Sequence, residues 1–221
     1  MVHVEELQAQ VAAGYARLGL PSWTDPHPGM TSPDAEEYSR VTSPERYRIV
    51  EARASMWADT LAACSGIEVE PVAPDALGEA DLGDVTSGVR LRSARPDTLP
   101  LLLLIRQVAT EPMAVLRICV EQASVVLAEV PDCGCDACDS GSDDLLEAID
   151  DIIGGFVGGP SVMLRGPGWH ANWRPDGGSS GGEGDGPDHD QMMQLCRRLS
   201  AGQAAPLPTG TAAFINSAWL D

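Results

Sequence analysis

Between residues 88 and 130 the chain carries four stretches of strand length with almost nothing between them, and this constrains the fold more than any other feature. "GVRLRS" (from Gly88) alternates apolar and polar residues, and "LPLLLLIRQV" (from Leu99) is a continuous apolar run. "MAVLRICVE" (from Met113) alternates again, and "SVVLAEV" (from Ser124) follows after only Gln122 and Ala123. Period-two alternation marks strands with one buried face. Connections this short leave no room for a crossover helix, so successive strands pair as hairpins and the sheet is antiparallel.

Helical patterns flank this run on both sides. Val4, Leu7, Val11, Tyr15 and Leu18 form one apolar stripe, closed by Gly19 and Pro21. A second helix opens in "TSPERYR", where Ser43 caps with Pro44 in the first helical position, or Thr42 and Glu45 form a capping box. Its buried face is Tyr47, Val50, Ala54, Trp57 and Leu61, with Gly66 near its end. "SDDLLEAIDDIIGGFV" reads as a third helix, with Ser142 as cap and Asp143 and Asp144 against its positive end. "PSVMLRG" and "WHANWR" return as one or two further strands, and a last helix spans about Asp190 to Leu199.

Strands in one run and helices in others, without βαβ alternation, predict a single α+β domain with an antiparallel sheet of four to six strands. The expected organisation is an N-terminal helix (1–20), an α+β core (21–175), a flexible Gly-rich linker (176–188), and a C-terminal helix and tail docked on the core (189–221). The linker reading rests on "DGGSSGGEGDGPD", which has six glycines in thirteen residues and nothing to bury. Residues 21–42 are rich in Pro, Asp and Ser and read as an ordered loop anchored by Trp23 and Tyr38.

Charge narrows the partners. The formal net charge is −19, and every one of the fourteen basic residues is arginine. Such a surface repels phosphate backbones and anionic headgroups, which argues against nucleic acid and membrane and leaves a basic protein or a cation. The longest apolar run, "LPLLLLI", is far too short to span a bilayer. "MVHVEELQAQ" is polar and acidic where a secretory signal is basic and then apolar. A cytoplasmic protein with reduced thiols is therefore expected.

Common enzyme signatures are missing: no Gly-rich phosphate loop follows a strand, and neither His-Glu-x-x-His nor Gly-x-Ser-x-Gly occurs. No catalytic residue is assigned. Of the four histidines only His170, in "GPGWHANW", has a context that could line a pocket, and it reads more simply as a partly exposed residue near a strand end.

"PDCGCDACDSGSDD" (Pro131 to Asp144) holds three cysteines and five aspartates in fourteen residues. Cys133 and Cys135 point the same way in an extended turn, and Cys135-x-x-Cys138 is a spacing that lets two sulfurs converge on one ion. Cys133, Cys135 and Cys138 are thus candidate ligands for zinc. No fourth ligand follows from the spacing; Asp136, Asp139 and His170 are candidates, with Cys119 and Cys196 as more distant ones. No basic residue stands between Arg117 and Arg165, so crowded carboxylates would welcome a cation and would raise the thiol pKa values in its absence. A redox or disulfide pair, and reduced cysteines packed in a tight acidic turn, are the other two readings of the same residues. Calcium fits poorly, because thiols are the wrong ligands and no twelve-residue loop ending in a bidentate Glu is present. Cys64, Cys119 and Cys196 lie in apolar patterns and read as core residues.

"YSRVTSPERYR" (Tyr38 to Arg48) and "PDCGCDACDSGSDDLLEAID" (Pro131 to Asp150) resemble an uncharacterised actinobacterial family known only as a domain of unknown function. The resemblance runs from about Tyr38 to about Trp169 and implies an actinobacterial source, with no activity, cofactor or partner to carry over. Two functions follow from the residues: a small zinc-binding or thiol-bearing domain without catalysis, or an acidic inhibitor- or immunity-type protein that masks a basic partner.

Overall fold

The computed structural model describes residues 3–29, 31–74, 77, 85–108, 113–182 and 186–220. Its elements run in the order α1 (Val4–Ala16), α2 (Arg48–Ala62), β1 (Ile67–Pro71), β2 (Val85–Ser93), β3 (Leu101–Gln107), β4 (Ala114–Val120), β5 (Val126–Val130), α3 (Ser142–Gly158), β6 (Ser161–Gly166), β7 (Trp169–Arg174), β8 (Gly177–Gly182), α4 (His189–Ser200) and β9 (Ala212–Asn216). The α+β class is as expected. The strands divide, however, between two antiparallel sheets, a five-stranded meander β1-β2-β3-β4-β5 and a four-stranded sheet ordered β8-β7-β6-β9.

The continuous apolar run of β3 is explained by burial on both faces, which removes the need for alternation. Leu101, Leu103 and Ile105 join the main core with Trp57 and Leu61 of α2 and Ile149, Ile153 and Phe156 of α3. Leu102 and Leu104 turn to the opposite face and pack with Val72, Leu77 and Cys119. Fully burying each such side chain stabilises by about 1.5–3 kcal/mol. Helix α1 completes the main core through Leu7 and Val11, and it ends before Leu18, which is exposed.

Helix α4 does not join that core. Met192, Met193 and Cys196 cover the second sheet instead, against Val162, Leu164, Trp169 and Ala171. The opposite face of this sheet reaches the first core through Met163 and Phe214. Buried Asn216 secures the junction: its Oδ1 accepts from the Leu99 amide at 2.9 Å and Trp219 Nε1 at 3.2 Å, and its Nδ2 donates to the Phe156 carbonyl at 2.9 Å.

Half of the expected linker is a strand. Gly177–Gly182 form β8, in register with β7 from Trp169↔Gly182 to Arg174↔Gly177. Missing side chains are what let it pack: a Cβ on Gly178 would lie 2.3 Å from Met193 Sδ and 2.8 Å from the Asn172 carbonyl oxygen. Two expected caps also differ. Ser43 sits in the left-handed region (φ 53°), with Pro44–Tyr47 forming a 3₁₀ turn ahead of α2. Ser142 opens α3, but its hydroxyl is shared with the backbone of Trp23. Trp23 is the anchor expected of its loop; Tyr38 is not, being 60% exposed.

Candidate metal centre

The cysteine turn leaves β5 and leads into α3 through a short 3₁₀ turn, Asp136–Cys138. It brings the three expected sulfurs together. The Sγ atoms of Cys133, Cys135 and Cys138 lie within 4.8 Å of one another, and those of Cys133 and Cys135 are 3.2 Å apart. Cys135 is buried, while Cys133 and Cys138 are exposed, so the cluster has a protein side and a solvent side. Such a cluster could hold a metal ion.

Local sequence sets this conformation. Gly134, between the first two cysteines, lies against Met113, whose Sδ would be 2.0 Å from an added Cβ. Its carbonyl accepts from the Tyr47 hydroxyl at 3.4 Å. Gly141 ends the turn at φ 95°, where a side chain would be strained and would meet the Asp25 amide nitrogen at 2.7 Å.

Both candidate aspartates, Asp136 and Asp139, are buried and occupied. Asp136 accepts from Arg40 Nε at 2.6 Å and from the Thr42 amide and hydroxyl at 2.7 Å each. Asp139 accepts from Arg46 Nη2 at 2.6 Å, Trp23 Nε1 at 2.9 Å and the Gly141 amide at 2.9 Å. The Arg46 guanidinium in turn stacks over the Trp23 and Tyr47 rings, 4.6 and 5.2 Å from their centroids. Serving as the fourth ligand would require either carboxylate to give up these bonds.

The more distant candidates lie elsewhere. His170 is on β7 in the second sheet, opposite Arg165 and Gly181. Cys119 is buried under the first sheet with its thiol donating to the Ala123 carbonyl, and Cys196 is buried beneath α4. Burial raises the Cys196 pKa to about 11, which suits a packing residue. Among the described residues, no fourth Cys, His, Asp or Glu joins the three sulfurs.

The three thiols hydrogen-bond one another. Burial pushes Cys135 up, but hydrogen bonds from the Cys133 and Cys138 thiols and from the Cys138 and Ala137 amides outweigh it and hold its pKa below the usual thiol range. Cys138, which donates toward Cys135 and Cys133, is pushed up to about 12. The bonds within the turn therefore favour the thiolate form at Cys135 and the protonated form at Cys138, whose proton a bound cation would displace. Two of the carboxylates expected to raise the thiols, Asp136 and Asp139, are instead paired with arginines 93 to 96 residues earlier in the chain.

Asp136 also ties stability to pH. Burial would raise its pKa, yet the Arg40 and Thr42 bonds lower it from 3.8 to about 2. Its folded-state pKa is depressed, so its contribution is present above the unfolded value and is lost as pH falls from about 4 toward 2. Urea midpoints should fall across that window, and Asp136→Asn should flatten this part of the profile. An unchanged acid limb in the variant would show that the bonds around Asp136 contribute nothing to folding.

Sequence reading missed Arg40, Thr42, Arg46 and the full role of Trp23, although one signal was present. "YSRVTSPERYR", the first stretch carrying the family resemblance, is the segment that clamps the second. Among the described residues no helix is long and apolar enough to cross a membrane. No curated protein and no solved structure matches the chain. A family model does match, over residues 11–221, well beyond the span of the two motifs. The chain belongs to the DUF6226 family, a family of unknown function.

Proposed function

We propose that the turn is a zinc site in which Cys133, Cys135 and Cys138 supply three thiolates and water takes the fourth position, in a small domain without catalysis of its own. The observation that carries this reading is the gathering of three sulfurs within 4.8 Å on one turn. Around a tetrahedral zinc with Zn–S near 2.3 Å, sulfurs stand roughly 3.8 Å apart, so small side-chain adjustments complete the set. Two features support it further: hydrogen bonds that hold the Cys135 pKa below the usual thiol range favour its thiolate, and the solvent side at Cys133 and Cys138 gives an ion a way in. Reduced thiols suit a cytoplasmic setting, and the lysine-free, Asp- and Gly-rich composition suits an actinobacterial source.

Zinc here would connect the end of β5 to the start of α3 and fix the angle between the first sheet and that helix. Elemental analysis of protein purified without chelator should give near one equivalent of zinc per chain. The triple variant Cys133→Ser, Cys135→Ser, Cys138→Ser should give none and unfold earlier, since part of the binding free energy is folding free energy. Zinc-free reduced protein, with a variant as stable as the parent, would contradict the proposal.

A further inference from the structure

Far along α3 from the cysteine turn, a cavity of about 320 Å³ lies where the second sheet meets α3 and β5. It falls at the small end of the usual range for ligand sites, roughly 300–1,000 Å³. One wall is apolar, formed by Leu127, Ile152, Phe156 and Met163. The other carries polar groups from the second sheet. Ser161 and Met163 alternate with Val162 along β6 and so share a face, and Met163 is in register with Asn172 of β7.

Two observations mark this wall as more than packing. Ser161 is only 5% exposed, and its Oγ has no hydrogen-bond partner. A hydroxyl buried without a partner has already lost its water, so a polar group entering the cavity would find a donor already desolvated. The second observation is charge. Arg165 places its guanidinium behind this wall, bonded to the Leu164, Ala171 and Val126 carbonyls and to Asn172 Oδ1, all neutral acceptors. Arg174 lines the cavity, donating to the Asp151 carbonyl at 2.7 Å, and its nearest acid is exposed Asp176 at 3.4 Å. Asp176 lines the cavity too and offsets Arg174 there, so the charge without a carboxylate partner is the Arg165 guanidinium behind the wall, facing a recess whose other side is greasy.

We propose that this cavity binds a small monocarboxylate with an apolar body, its acid group toward Ser161, Asn172 and Arg174 and its body against Phe156 and Leu127. Charge then supplies affinity, and the shape of the apolar wall selects among acids. This site is separate from the cysteine turn, and its occupancy does not depend on zinc.

Isothermal titration of the full chain with 2-naphthoate, phenylacetate and octanoate, beside 2-naphthol as a neutral analogue, tests it. At least one acid should bind one per chain, and 2-naphthoate should bind at least roughly tenfold more tightly than 2-naphthol, because hydrogen bonds to a charged group are the stronger kind. Ser161→Ala and Arg174→Met should each weaken the acid about fivefold or more. Ser161→Ala should do so without lowering the melting temperature, which separates a binding role from a structural one. Leu127→Trp, which fills the cavity, should abolish binding. No saturable binding of any acid up to about 1 mM would overturn the proposal. So would equal affinity for the naphthol, or binding that survives both Leu127→Trp and Ser161→Ala.

Discussion

Replacing Asp139 by alanine should lower the unfolding free energy by about 3–5 kcal/mol, the range found when one partner of a buried ion pair is removed. Asp139 is 7% exposed and is the acceptor for Arg46, Trp23 Nε1 and the Gly141 amide together. Without it the Arg46 charge stays enclosed between two aromatic rings, and the loop holding Trp23 loses its tie to the cysteine turn. Domains of this kind are stable by roughly 5–15 kcal/mol, so the loss is a large fraction of the whole. Urea unfolding with a chelator present isolates it from any bound metal. Asp139→Asn keeps an acceptor for Trp23 and should lose less. A drop below about 1 kcal/mol for the alanine variant would mean that the clamp is incidental to folding.

Asp150→Ala should destabilise on the same scale, about 3–5 kcal/mol, by a different route. Asp150 lies on α3 and pairs through both carboxylate oxygens with Arg53 of α2, which is 5% exposed. It also accepts from Trp57 Nε1 at 2.7 Å. This pair joins two helices at the floor of a cleft between α1, α2 and α3, so removing Asp150 leaves a largely buried guanidinium without its partner. The double variant Arg53→Met with Asp150→Leu should recover most of the loss, because apolar residues of similar volume replace buried pairs at little cost. A double variant no better than Asp150→Ala would show that geometry, and not the uncompensated charge, is what the pair provides.

The fold was legible wherever pattern reflects local burial. The four close strand runs specified β2 to β5 of the meander but not its edge strand β1, and the stripes of α1, α2 and α3 specified its cover. The second sheet was legible only in part: β6 and β7 lie where "PSVMLRG" and "WHANWR" read as strands, whereas edge strand β8 is written in glycine and serine and owes its place to close backbone approach. At the site, the sulfurs converge because their spacing along one turn is local information. The neutralisation of Asp136 and Asp139 is not local, since their arginines come from a distant loop. Counting charges along the acidic stretch therefore overstated both its repulsion and the free negative surface it offers a partner. The expected cap at Thr42 failed for the same reason: its amide and hydroxyl are given to Asp136.

If three sulfurs of one turn hold a zinc ion, X-ray absorption at the zinc edge of the purified chain will read them out as its ligands. Three sulfurs at about 2.3 Å and a single lighter atom at about 2.0 Å are the expected shell. Four sulfurs would mean that a thiol from outside the turn completes the site. A shell of oxygen and nitrogen alone, or no zinc in protein kept reduced throughout, would contradict the account and leave Cys133, Cys135 and Cys138 as packed thiols on a clamped turn.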